Sequence, residues 1–153
     1  MINIAATQYS INNQSFELYL AGCSANPHCE ECHNPELWDF NVGSEYDVNY
    51  KEKILQKVKD FGSIIQHIWI LGGEPLDQDL DELEKLISDM KLTGKNVWLF
   101  TRYDIDKVPS NIKKQVDYIK TGRYLPKKKN EHVEYGVTLI TENQHIHKRG
   151  KDY

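Results

Sequence analysis

Cysteine is absent from this chain outside one ten-residue stretch, which holds all three: Cys23, Cys29 and Cys32. An odd number, with none elsewhere, argues against an extracellular disulfide framework and for thiols kept reduced. Also missing is any run of about eighteen apolar residues, so no membrane-spanning helix is expected. Met1–Gln8 lacks the basic and apolar regions of a signal peptide. Together these absences predict a cytoplasmic protein that does not engage a membrane. No internal repeat, low-complexity tract or linker interrupts the 153 residues, so residues 1–153 read as a single domain. A chain of that length buries roughly 70% of its extended-chain surface and needs no structural staple. No Ser-His-Asp or paired-carboxylate signature is present either.

Charge is unevenly placed. Residues 120–153 carry eight Lys/Arg against four Asp/Glu, and residues 1–119 carry eleven against nineteen, a net of +4 beside −8. Lys127, Lys128 and Lys129 form the densest basic run, but the aromatic interleaving of a nucleic-acid surface is weak, so no nucleic acid is expected. A solvated face or a docking surface for a protein is the better reading.

Strands and helices alternate with short connections. Phe16–Ala21 alternates and is rich in strand formers, and it delivers Gly22 and Cys23 from its C-terminal end. Ile54, Leu55, Val58 and Phe61 share one helical face over Tyr50–Phe61, and Gly62 sits at a C-cap position. Ile64–Leu71 reads as a buried strand ending at Gly72-Gly73-Glu74-Pro75, and a second helix places Leu80, Leu83, Leu86, Ile87 and Met90 on one face. Further strands are expected at Asn96–Thr101, Val116–Lys120 and Tyr135–Ile140. A short helix should open at Pro109-Ser110, and a polar loop should occupy Lys127–Glu134. This order predicts an α/β fold of parallel strands joined by right-handed crossovers, with ligands at the C-terminal rim of the sheet.

Both chemical motifs emerge on that rim. Three thiolates spaced Cys-x5-Cys-x2-Cys on one loop can face a single metal centre. A cluster of four irons held by three cysteines leaves one iron open. The same spacing also suits a structural zinc completed by His28 or His33. Gly72 and Gly73 let the backbone approach a ligand closely, or they punctuate a turn in which Asp77 or Asp79 caps the next helix. Trp38 and Trp69 are expected to pack. His145 and His147 alternate near the C-terminus, and a mononuclear metal site there lacks an identifiable third ligand.

With the cysteine triplet after one strand and Gly-Gly-Glu-Pro after the next, the chain resembles the radical S-adenosylmethionine enzymes. That resemblance implies an incomplete parallel β/α barrel, with a [4Fe-4S] cluster on Cys23, Cys29 and Cys32. It also implies an S-adenosylmethionine site at Gly72, Gly73, Glu74 and Pro75. The usual triad spacing is Cys-x3-Cys-x2-Cys, so Ser24–His28 adds two residues to the first gap.

Within the superfamily the chain is similar, over most of its length, to the activating proteins of anaerobic ribonucleoside-triphosphate reductases. Cys32-His33-Asn34-Pro35-Glu36-Leu37-Trp38, Leu99-Phe100-Thr101-Arg102-Tyr103 and Thr141-Glu142-Asn143-Gln144-His145-Ile146 carry the likeness. They imply cofactor-binding roles for His33, Asn34, Thr101 and Asn143. Arg102 replaces a glycine, and Ile11-Asn12-Asn13-Gln14 stands where the family has Gly-Pro-Gly-Arg.

The family implies a one-electron reductive cleavage of S-adenosylmethionine, after which a 5'-deoxyadenosyl radical abstracts hydrogen from a glycine of the reductase. The cofactor would carry the hard step, which accounts for the missing acid–base signature. The implied partners are the catalytic subunit of the reductase and an electron donor such as flavodoxin or ferredoxin. Two other readings stay open: a small radical enzyme acting on a free molecule, like the 7-carboxy-7-deazaguanine synthases, and a zinc-binding adaptor without catalysis.

Overall fold

The polar turn Ile11–Gln14 folds the start of the chain into a hairpin. Gln14 takes φ 52, and β1 (Asn3–Ser10) returns antiparallel along β2 (Ser15–Leu20). The computed structural model describes residues 1–29, 31, 32 and 34–153, which leaves Glu30 and His33 outside. In chain order there follow β3 (Ser44–Glu45), α1 (Val48–Phe61), β4 (His67–Gly72), α2 (Leu80–Lys91) and β5 (Asn96–Phe100). Then come α3 (Ser110–Gln115), β6 (Tyr118–Thr121), β7 (Lys129–Glu134), β8 (Val137–Thr141) and β9 (His145–Lys148). Asp47 caps α1 by accepting from the Tyr50 N–H at 2.8 Å, and Asp79, not Asp77, caps α2 by accepting from Glu82 at 3.0 Å.

Seven strands form one sheet in the order β3-β1-β2-β4-β5-β6-β9, and β7 and β8 pair as a separate hairpin. The central run β2-β4-β5-β6 is parallel, as the alternation of strand and helix requires. The expectation of a parallel sheet throughout is corrected at its margins. β1 and β3 are antiparallel on one side, and β9 is antiparallel on the other. A short turn joins β1 to β2, so that pair can only run back on itself, while β3 returns after the cysteine loop and β9 after the β7–β8 hairpin, in each case with no α-helix in the connection among the described residues. The architecture is thus α/β with a mixed sheet. The expected loop Lys127–Glu134 is corrected too, since its last six residues are β7, whose largely exposed side chains leave no alternation to detect.

Alternation along the parallel strands sorts the two faces. Leu18, Leu20, Ile68, Ile70, Val97, Leu99 and Ile119 point toward the helices, where they meet Ile54, Val58, Leu83, Leu86, Ile87 and Met90. Burying each such side chain is worth about 1.5–3 kcal/mol. On the opposite face Trp69, Trp98, Phe100, Tyr118 and Ile146 of the sheet pack together, and β8 of the separate hairpin covers them with Leu139. At the C-terminal ends of β2, β4, β5 and β6 the chain delivers Gly22, Gly73, Thr101 and Gly122 side by side. No helix among the described residues is long and apolar enough to cross a membrane.

Candidate metal and cofactor site

Those strand ends enclose a cavity of about 190 Å³. Cys23, Cys29 and Cys32 all line it, unpaired and partly exposed. Gly72, Gly73, Glu74, Thr101 and Asn34 line the same cavity. The structure therefore brings eight of the expected site residues together. Pro75 is buried at the start of the turn behind Glu74. Asn143 turns its side chain to the Thr141 hydroxyl and the Arg123 carbonyl, while its neighbour Gln144 lines the cavity. The expectation for His33 falls outside the described residues.

The cysteine loop is fixed at both ends by backbone. Gly22 donates to the Leu37 carbonyl at 2.8 Å and Cys23 to the Trp38 carbonyl at 3.2 Å, which closes the loop on itself. Gly73 N–H donates to Leu20 and Glu74 N–H to Gly22, extending the β2–β4 pairing past Gly72 into the loop. A side chain at Gly73 would run into the Gly22 and Leu37 carbonyls. That glycine therefore serves the close approach of the cysteine loop to β4, in addition to any approach by a ligand.

Glu74 is 1% exposed and reaches across to the next strand. Its carboxylate accepts from the Arg102 N–H at 2.6 Å, the Thr101 hydroxyl at 2.8 Å and the Leu76 N–H at 3.0 Å. Burial pushes its pKa above the ordinary range, although these three donors oppose the shift. Asp77 makes a second strut, accepting from the Ser24 N–H of the cysteine loop, from the Tyr103 hydroxyl at 2.6 Å and from Arg102 at 3.2 Å. Burial works against the charged form of Asp77, but the hydrogen bonds from Tyr103, Ser24 and Arg102 win and hold its pKa low. Arg102, the departure from glycine, thus joins both carboxylates at the rim.

His28 does not present its Nε2 to the cavity. That atom lies 2.9 Å from the Cys23 carbonyl, and the ring stacks on Trp38 with centroids 4.0 Å apart. A zinc completed by His28 through Nε2 would have to break this bond. Trp38 is corrected from a packing residue to a half-exposed wall of the cavity, while Trp69 is buried as expected.

The sequence reading passed over Lys120. Its ammonium reaches the cavity from β6 and donates to the Gly122 carbonyl at 3.2 Å. Burial drives its pKa down to about 8, against the attraction of Glu74 and Cys29. The available signal was strand alternation: Ile119 faces the helices, so Lys120 must face the aromatic side, where a lysine has no packing role.

Three soft thiols form a donor set suited to an iron–sulfur centre, with a backbone rim and one partly buried ammonium beside them. The model of the family described as a 4Fe-4S single cluster domain matches residues 14–147. The chain belongs to that family. As a 4Fe-4S single cluster domain it is similar to the anaerobic ribonucleoside-triphosphate reductase-activating protein of Escherichia coli, with 28% identity over 105 residues and 67% of each chain covered. The protein of that name from Vibrio cholerae is 23% identical over 137 residues, covering 86% of this chain and 85% of its own. A 7-carboxy-7-deazaguanine synthase from Pyrobaculum aerophilum is 36% identical over 75 residues, but these span 49% of this chain and 31% of the synthase.

Proposed function

We propose that the chain is a radical S-adenosylmethionine activase of an anaerobic ribonucleoside-triphosphate reductase, built on an incomplete β/α barrel. The observation that carries this reading is the convergence of three free thiols and the Gly72–Glu74 segment on one cavity. Cys23, Cys29 and Cys32 would hold the cluster, and Gly72 to Pro75, with Asn34 and Thr101 nearby, would receive S-adenosylmethionine. When bound, the cluster supplies the single electron, drawn from a flavodoxin- or ferredoxin-like donor, for reductive cleavage of that cofactor.

The chain's own side chains have separate tasks. Lys120 would offer a positive charge to the cofactor's carboxylate, a contact worth about 1.5–3 kcal/mol for a charged hydrogen bond. Glu74 and Asp77 keep the cysteine loop and the end of β5 in register, so that the site is preorganised. Trp38 and the aromatic face shield it from water. Methionine, 5'-deoxyadenosine and a glycyl radical on the reductase would be the products.

The test is anaerobic reconstitution with iron and sulfide. About four irons per chain, S-adenosylmethionine cleavage with a strong reductant, and a glycyl radical signal on an added reductase are expected. A colourless protein retaining zinc at the cysteines would establish the adaptor reading instead. Efficient turnover of a small molecule without reductase would favour the synthase, whose likeness covers only half of this chain.

A further inference from the structure

A second set of metal-ligating side chains lies away from the thiols, where the β7–β8 hairpin meets β9. His132 and Glu134 come from β7 and His145 from β9, with one ligand atom from each within 4.8 Å of the others. His132 Nε2 stands 2.9 Å from Glu134 Oε2, and His145 Nδ1 stands 3.1 Å from the same oxygen. The other Glu134 oxygen is held by the Ile146 N–H at 2.9 Å, so the carboxylate is aimed by β9 backbone at both imidazoles.

The surroundings of His132 identify what the group would take. Its Nδ1 lies 3.1 Å from the Asn130 carbonyl, which can only accept, so Nδ1 carries the proton. That leaves the Nε2 lone pair directed at Glu134 and at the Gln144 carbonyl, 3.0 Å away. A lone pair facing two oxygens requires a cation between them or a second proton on the ring. A backbone carbonyl on the distal nitrogen is the arrangement that orients metal-bound histidine.

We propose that His132, Glu134 and His145 form a divalent-metal site of the zinc type that clips the β7–β8 hairpin to the edge of the main sheet. Two imidazoles and one carboxylate suit Zn²⁺, whose ligands at about 2.0–2.1 Å lie roughly 3.3 Å apart in a tetrahedron, so each imidazole nitrogen needs to draw back from the Glu134 oxygen by only a few tenths of an ångström. Half-exposed His145 leaves the fourth position to water or to the Gln144 carbonyl. His147 lies outside this group, its Nε2 being 3.0 Å from the Thr121 hydroxyl. The hairpin forms its own two-stranded sheet and shares no ladder with β9, so a metal would reinforce the Glu134–Ile146 hydrogen bond that ties the two together.

The thiols would compete for zinc, so the test uses the full chain with Cys23, Cys29 and Cys32 changed to serine and titrates Zn²⁺ against a chromogenic chelator. One equivalent should bind. His145→Ala, at a half-exposed position, should weaken binding about 100-fold or more, and Glu134→Gln should do likewise. If the serine variant does not fold, zinc-edge X-ray absorption on the cluster-loaded wild-type chain decides: a shell of nitrogen and oxygen lost in His145→Ala supports the site. Absence of retained zinc, a sulfur-containing shell, or unchanged affinity in His145→Ala would overturn the proposal and leave an imidazolium–carboxylate cluster.

Discussion

Glu74 and Thr101 meet through a 2.8 Å hydrogen bond across 27 residues of sequence, joining the ends of β4 and β5 beneath the cavity. With three donors converging on a carboxylate that is almost wholly buried, the pair fixes the rim more than it offers free charge to a ligand. Glu74→Gln exchanges one acceptor oxygen for a donor that must face another donor. A loss of about 1–3 kcal/mol in urea unfolding is expected, with weakened S-adenosylmethionine binding by calorimetry. Unchanged stability would mean that the carboxylate is not the strut its hydrogen bonds describe.

Gly73→Ala should reduce cluster assembly itself. The added carbon meets the Gly22 and Leu37 carbonyls, which are backbone and cannot swing aside, so the start of the cysteine loop must move. Iron per chain after anaerobic reconstitution is the measurement. Full iron content with impaired cofactor binding would place the glycine's role at the ligand alone.

Lys120→Met keeps most of the aliphatic stem and removes the ammonium. Loss of a charged hydrogen bond of about 1.5–3 kcal/mol should weaken S-adenosylmethionine roughly tenfold or more while iron content stays unchanged. Equilibrium dialysis of the reconstituted variant reads the effect, and wild-type affinity would remove Lys120 from the site.

Acid should destabilise the fold in part through Asp117. Burial opposes its charge, but Lys91 at 2.7 Å, the Val97 N–H at 2.8 Å and Arg149 at 3.0 Å hold its pKa below the ordinary value. A carboxyl with a lowered folded pKa stabilises above the unfolded value of about 3.9, and that contribution is lost as pH falls through the folded one. Asp117→Asn should therefore lower Tm at neutral pH, and the gap from the parent should close in strong acid. A gap independent of pH would assign the loss to shape, not charge.

Reversing Lys127, Lys128 and Lys129 to glutamate tests the basic segment as a docking surface. Lys127 and Lys128 sit in an exposed turn before β7, and Lys129 lies 3.9 Å from Glu31 of the cysteine loop. Radical installation on the reductase should fall and change its salt dependence, while cofactor cleavage without reductase persists. Equal loss in both assays would show that the lysines support the cofactor site.

The sequence by itself determined the parallel core and the thiol centre, because both rest on local signals. The alternation of Phe16–Ala21, the continuous apolar run Ile68–Leu71 and the helical stripe Leu83–Met90 read directly as elements, and three cysteines on one loop need no distant partner to suggest a metal. Tertiary structure decided what depends on neighbours remote in sequence. β1 escaped notice because Ala5, Thr7 and Gln8 give no clear alternation, and β7 because its side chains are mostly exposed. Glu74 became a strut only when folding set it beside Thr101 and Arg102, and Lys120 a site residue only when β6 joined the sheet. His145 acquired His132 and Glu134 as neighbours in the same way, since a hairpin laid against β9 brings together ligands that no spacing along the chain could pair.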